Sequence, residues 1–421
     1  MSYWNKQKEK KRNIEHAVNW IFIFATPFLQ SDWEKYSMGE LYEIAKTKKK
    51  KIIIIDAGKC FHPEVLRDSY FKIDPISPIE PDKYIILYTR KELAERLKEY
   101  SINGLFFPMF DDYYEVRNFY HLARKYDLSY GYVNNIVGDI TVPKTVLKSN
   151  RIEQIINKIK NLRDISSIAY NRCLRHLFSF FSSKGKGMFF AVAGNNREVE
   201  ILQNCNLIKD AKRIQAHTYD YEKYLRWKQN LGNEKHEEMT ERPYMVFLDQ
   251  YIPFHPDLAA TGYQIDSNSY YYNVEKILDG LSEALNLEVI IAAHPKADYK
   301  NLPYFNRYKI FYNLTIPLIY FSDLVVGHFS SSLSFAVLER KRIVLIQDTS
   351  LKACPPYAKA ISQYQTMLHC PMISEKSEVK NYFQIKADEK FYRKFIENTI
   401  GVVPDQQKNL WENIIEQILE G

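Results

Sequence analysis

Asp323 to Ile346 reads DLVVGHFSSSLSFAVLERKRIVLI. The apolar run Leu324 to Val326 reaches Gly327, a polar cluster of Ser330, Ser331 and Ser332 follows, and a helical segment leads to a second apolar run, Ile343 to Ile346. That order spells strand, sharp turn, helix, strand. The turn sets hydroxyls and main-chain N–H groups at the start of a helix, a place suited to phosphate. Ser is also a preferred helix cap, so the cluster reads equally as plain capping.

The same alternation extends outward on the N-terminal side of this stretch. Met245 to Leu248 reads as a strand ending in Asp249, and Gln250 to Asp257 (QYIPFHPD) as a loop that Pro253 and Pro256 keep from being helical. Val274, Ile277, Leu278, Leu281 and Leu285 share one helix face. Val289 to Ala293 is a buried strand that delivers His294, Pro295 and Lys296, and Lys309 to Tyr312 is another. Thr315 is expected to cap a short helix with Pro317 in its first turn.

In the first half, strands are expected at Trp20 to Ala25, Ile52 to Ile55, Tyr84 to Tyr88, Leu105 to Phe107, Leu128 to Val133, Met188 to Val192 and Ile214 to His217. Helices are expected at Trp33 to Ala45, Lys91 to Tyr100, Tyr114 to Tyr126, Arg151 to Asn161 and Ser167 to Phe181. The charged stretch Gln229 to Arg242 has no apolar period and reads as a linker. The expected class is α/β, with two Rossmann-like domains built on parallel sheets. Residues 1–228 form the first, 229–243 the linker and 244–421 the second, with a last helix that can cross back.

At 421 residues the chain is too long for one ordinary core, and 46% hydrophobic with 26% charged residues is a globular composition. A net charge of +7 without a basic stripe or a binding motif gives nucleic acid no support as a partner. Five dispersed cysteines without a CxxC spacing point to a reducing compartment, and to neither a zinc site nor a disulfide framework. Basic residues from Lys6 to Arg12 precede an apolar stretch, Ala17 to Leu29, that imitates a signal peptide. Ser-Asp-Trp-Glu follows where a cleavage site would stand, and the stretch is short for a membrane span, so it reads as a first buried strand.

Ligands of open parallel sheets bind beyond the carboxyl ends of the strands. Asp249, His294 and Ser330 to Ser332 all follow strands of one domain and should converge there. Each alone also reads as a cap or a structural turn. Other candidates for a cleft are His255, His217, which ends a strand and reads equally as a buried, hydrogen-bonded histidine, and the Gly194-Asn195 turn, which turn geometry alone also explains. Asp56-Ala57-Gly58-Lys59 is a weak form of a phosphate loop. Tyr270, Tyr271 and Tyr272 can stack on sugar, with packing the favoured use. Asp111-Asp112 imitates a metal-binding pair, yet two acids opening a helix suit its dipole.

A His-Pro motif after a strand, a Ser-rich turn before a helix and two Rossmann-like halves together resemble glycosyltransferases of the GT-B fold. The likeness is to bacterial surface-polysaccharide enzymes such as polysialyltransferases and Kdo transferases, which carry acidic, HP and S motifs. His294-Pro295 and Ser330-Ser331-Ser332 match the second and third, and Asp249 is assigned to the first. Teichoic-acid glycerophosphotransferases share a similar HP and Ser-rich pattern.

The resemblance implies an inverting, metal-independent glycosyltransferase without a cofactor. It would move a sugar from a nucleotide donor, a CMP-linked acidic sugar among the candidates, to a capsule or lipopolysaccharide acceptor. The first domain would hold the acceptor and the second the donor, across a cleft. Asp249 is then the expected base, with His255 as substitute, and His294 stabilises the leaving phosphate. Lys296, Ser330, Ser331, Ser332, His328 and Glu339 are the expected donor-binding residues; Glu339 would bind a ribose or face solvent. The expected location is cytoplasmic, with peripheral contact at the inner membrane through the basic leader. Glycerophosphate transfer from a CDP-linked donor and a non-enzymatic binding role are the alternatives.

Overall fold

The computed structural model describes residues 15–25, 28, 30–61, 83–109, 113–134, 187–193, 211–231, 242–255, 258, 263–295, 297–381, 386–402 and 408–420. The helices expected at 151–161 and 167–181, together with Gly194, Asn195, Lys296, Asp257 and the Asp111-Asp112 pair, lie outside these residues. The described residues form two compact units. One comprises those before 137, those up to Glu222 from 187, and those from Gly401 on; the other comprises those from Lys223 to Ile400.

The first unit holds a parallel sheet of strands β1 (Asn19–Phe24), β2 (Lys51–Asp56), β3 (Lys83–Ile86), β4 (Gly104–Met109), β5 (Ser129–Asn134), β6 (Gly187–Ala193) and β7 (Lys212–Ala216). Their spatial order is β3-β2-β1-β4-β5-β6-β7. Central β1 is buried along its whole length. Trp20, Phe22 and Phe24 enter one core, and Ile21, Ile23 and Ala25 the other, because successive side chains point to opposite faces. A strand covered on both faces favours apolar residues on both, and this is why Trp20 to Phe24 reads as a continuous run.

Two helices follow β1 where one was expected. Gln30–Lys35 and Met38–Thr47 are separated at Ser37, whose φ of 52° is left-handed and ends the helical path. Far along the chain, the helix Leu410–Glu420 packs on the core that holds Phe22. Trp411 meets Phe22 and Phe107 edge-on, with centroids 5.6 and 6.2 Å away, and its Nε1 donates to the Tyr36 carbonyl at 2.7 Å.

The second unit's sheet comprises β8 (Tyr244–Leu248), β9 (Glu288–Ala293), β10 (Lys309–Tyr312), β11 (Leu324–Gly327), β12 (Arg342–Ile346) and β13 (Met372–Ile373). It is parallel, in the order β10-β9-β8-β11-β12-β13. Counted from β8 this is the 3-2-1-4-5-6 order of doubly wound folds, and the order reverses between β8 and β11. The helix Ser267–Leu285 buries Tyr270, Tyr271, Val274, Ile277, Leu278 and Leu281 on its inner side. Thr315 proves to be the first residue of the helix Thr315–Phe321, with Leu314 at the cap position and no side-chain capping bond. No helix among the described residues is long and apolar enough to cross a membrane.

Candidate functional site at the ends of β8, β9 and β11

Asp249 follows β8, His294 follows β9, and Phe329 and the serines follow β11. Since β9, β8 and β11 are adjacent, their carboxyl ends bring these residues to one rim of the sheet. The crevice at which strand order reverses opens between the ends of β8 and β11, and so between Asp249 and the serine turn.

Asp249 is 5% exposed and works as a hub. Its Oδ2 accepts the Tyr299 hydroxyl at 2.7 Å and its Oδ1 the Tyr251 N–H at 3.0 Å, while the N–H groups of Gln250 and His294 also bond to the carboxylate. Tyr299 is backed in turn by the Tyr271 hydroxyl at 3.2 Å. Burial pushes the Asp249 carboxyl up to about 6, against the pull of these donors. One carboxylate thereby fixes the loop after β8 and the turn after β9. The price is backbone strain at Tyr251, whose φ of 53° is left-handed.

The loop expected to be free of helix makes one tight helical turn, Ile252–Phe254, which tolerates Pro253 because an N–H at a helix start needs no partner within the helix. It carries His255 to His294, with ring centroids 5.1 Å apart and nearly perpendicular. Both rings are part-exposed, in contrast to Asp249. The expectation that Asp249 takes the acceptor proton therefore meets a physical obstacle: both of its oxygens are occupied by protein donors and almost out of reach.

Across the crevice, Gln250 Oε1 accepts the Phe329 N–H at 3.0 Å. The serine turn then closes on itself. The Ser332 N–H donates to Ser330 Oγ at 3.2 Å, the Leu333 N–H to the Ser330 carbonyl at 3.1 Å, and Ser334 Oγ to the Ser331 carbonyl at 2.6 Å. Ser330 and Ser332 are part-exposed and Ser331 is exposed.

Several expected residues stand elsewhere. His328 is fully buried; its Nδ1–H donates to the Ile346 carbonyl at 2.7 Å, and its Nε2 accepts the Tyr270 hydroxyl at 2.8 Å. Burial lowers its pKa to about 4, so the ring is neutral and both nitrogens are spent within the core. Glu339 lies past the far end of the returning helix Leu333–Leu338, and accepts from the Tyr224 hydroxyl and, at 2.8 Å, from Lys228 Nζ. It stands apart from the rim of serines. His217 belongs to the first unit, where its Nε2–H donates to Glu222 Oε2 at 2.7 Å. The same oxygen accepts the Leu410 N–H at 2.8 Å, so this pair anchors the C-terminal helix.

The weak phosphate loop after β2 is also filled. Asp56 Oδ1 accepts the Gly58 N–H at 2.9 Å, and Oδ2 accepts the Phe28 N–H and the Tyr84 hydroxyl. A carboxylate already occupies the anion's place there. Tyr270 and Tyr271 pack in the core as favoured, while Tyr272 is 58% exposed beneath Lys276 Nζ. Tyr299 and Gln250 were not singled out in the sequence; each is an ordinary polar residue outside any motif, although Gln250 adjoins a strand-ending acid.

No protein-family model matches this sequence, and no curated protein matches it. Among solved structures the chain is similar to the wall teichoic acid polymerase TagF, with 11% identity, a TM-score of 0.50, and 99% of this chain and 95% of that one covered. The fold is GT-B-like. It is also similar, more distantly, to a glycosyltransferase of kitacinnamycin, with 8% identity, a TM-score of 0.46 and coverage of 95% and 98%. For a UDP-GlcNAc 2-epimerase from Methanocaldococcus jannaschii the figures are 11%, 0.46, 96% and 99%. At such identities the likeness concerns the GT-B-like fold alone.

Proposed function

We propose that this chain is a glycosyltransferase that takes a sugar from a nucleotide donor held by the second unit. The observation that carries the reading is the gathering of His255, His294 and the serine turn at the strand-order reversal, with Asp249 buried beneath them. His255 takes the proton of an acceptor hydroxyl, because its ring is part-exposed and the carboxylate is not. As that proton leaves, the acceptor oxygen bonds to the anomeric carbon, and the bond from this carbon to the donor phosphate breaks. The phosphate departs with the electron pair, and His294 and the serine hydroxyls stabilise its charge. Asp249 is a positioning residue, setting His294 through its main-chain N–H and the turn that leads to His255 through the Tyr251 N–H. Direct displacement inverts the anomeric centre and needs no metal in this scheme. Lys296, next but one after His294, adds a positive charge in the sequence of this turn.

A capsule or lipopolysaccharide acceptor and a CMP-linked acidic sugar follow from the motif resemblance, as does action in the cytoplasm beside the inner membrane. The test is a panel of CMP-, CDP-, UDP- and GDP-linked donors, scored by nucleotide release and by thermal stabilisation. Release with one donor is expected, and His255→Asn should slow it about 100- to 10,000-fold. A chain that neither releases nor binds any of these nucleotides has another function. A product that gains a phosphodiester in place of a sugar assigns glycerophosphate transfer.

A further inference from the structure

We infer that Gln250 is a donor-binding residue, its carboxamide N–H groups holding a phosphate oxygen of the nucleotide. The inference rests on the proposed nucleotide donor and names a contact that no motif marks. Phe329 N–H can bond only to an acceptor, so the 3.0 Å contact identifies the Gln250 oxygen and fixes which way the amide is turned. The Nε2 is on the same carbon, one bond angle from that oxygen, and thus lies beside the serine turn. Among the described residues it donates to none.

Three features make this unspent amide suited to phosphate. The first is position: Gln250 follows β8 and Phe329 follows β11, so their bond spans the reversal of strand order, where ligands of such sheets enter. The second is company. Ser330 Oγ accepts from the Ser332 N–H, which leaves the hydroxyl proton to donate outward, so two neutral side chains offer donors at one spot. The third is charge. The carboxylate that precedes Gln250 in the chain, Asp249, has its oxygens turned to Tyr299, Tyr251, Gln250 and His294, and is buried. An arrangement of fixed neutral donors suits an oxyanion, since donors held in place need no reordering when the charge arrives.

The latch and the donor function are separable. Gln250→Glu keeps an acceptor for the Phe329 N–H, while it replaces the two N–H donors by a negatively charged oxygen. Gln250→Met adds no charge, but gives up the acceptor of the Phe329 N–H together with the donors. Isothermal titration with CMP, CDP, UDP and GDP, and with the matching nucleosides, reads both variants against the unaltered chain. Expected is a loss of affinity of about 10- to 100-fold for the bound nucleotide with Gln250→Glu, a smaller loss with Gln250→Met, and no change for the nucleoside. Thermal melts identify the variants that fold, and of the two Gln250→Glu is the one that leaves the latch in place. Affinity equal to that of the unaltered chain overturns the role of Gln250 and leaves the nucleotide reading standing. An unaltered chain that binds none of the four nucleotides overturns both.

Discussion

Asp249 and His328 are two buried groups of one sheet whose charges respond to acid in opposite ways. Asp249 rises from an ordinary 3.8 to about 6 on folding, so the folded chain holds a proton that the unfolded chain releases. Its contribution to stability is complete below about pH 3.8 and is lost as pH rises through 6. His328 falls from 6.5 to about 4, so its contribution is complete above pH 6.5 and is lost as pH falls through 4. Asp249→Asn should destabilise by about 1–3 kcal/mol, because an amide N–H₂ would face main-chain donors. Its deficit should widen by about 1 kcal/mol from about pH 7.5 to about pH 5, as the unaltered chain gains what the variant cannot. His328→Gln should show the reverse, its deficit shrinking by about 2 kcal/mol over the same range. Urea titrations at the two pH values check both signs. The two residues also mark what sequence can tell at this scale. Asp249 and His294 were legible as polar groups where apolar runs stop. Their roles were not, because Tyr299 lies 50 residues from the acid it satisfies, and its reach is set by the fold.

Among the elements, the strands were legible for a simple reason. Sheets covered on both faces leave only apolar runs, and the runs at β1, β2, β8, β9, β11 and β12 show as such. The two-residue β13 has no room for a pattern. The broken helix after β1 escaped for another reason: its periodicity passes through Ser37, a residue type that does not announce a left-handed backbone. Ser37 is 1% exposed and its hydroxyl has no hydrogen-bond partner among the described residues. Ser37→Gly removes both the strained side chain and the buried hydroxyl, and should raise stability by about 0.5–1 kcal/mol after the extra freedom of the unfolded glycine is subtracted. A midpoint in thermal melting below that of the unaltered chain would refute this account of the break. The linker stretch shows a similar limit, since Gln229 and Asn230 close the helix Tyr219–Asn230 even though they carry no apolar period.

For the whole molecule, the decisive fact is that the first unit is assembled from both ends of the described chain. Trp411 fills the space against Phe22 and Phe107, and Glu222 receives both the Leu410 N–H and the His217 ring. Trp411→Ala should cost about 3–5 kcal/mol, the range for emptying a large aromatic site. Hydrogen exchange locates the effect: amides of β1 and β4 should lose protection while those of β8 and β11 keep theirs. Equal loss in both sheets would mean that the two units unfold as one.

The return of the helix Leu410–Glu420 also bears on the order of events at the ribosome. Trp411 is synthesised after every strand from β8 to β13. Until then one side of the first sheet, with Phe22 and Phe107 in it, lacks the part of its cover that Leu410 to Ile418 supply, whereas the second unit already has all the residues of its own sheet. Domains usually mature in the order of their synthesis. Here the later-made sheet can close before the earlier one, and nascent chains stalled with Ile400 outside the ribosome and Leu410 still within it should carry a finished second unit beside a first that is still waiting.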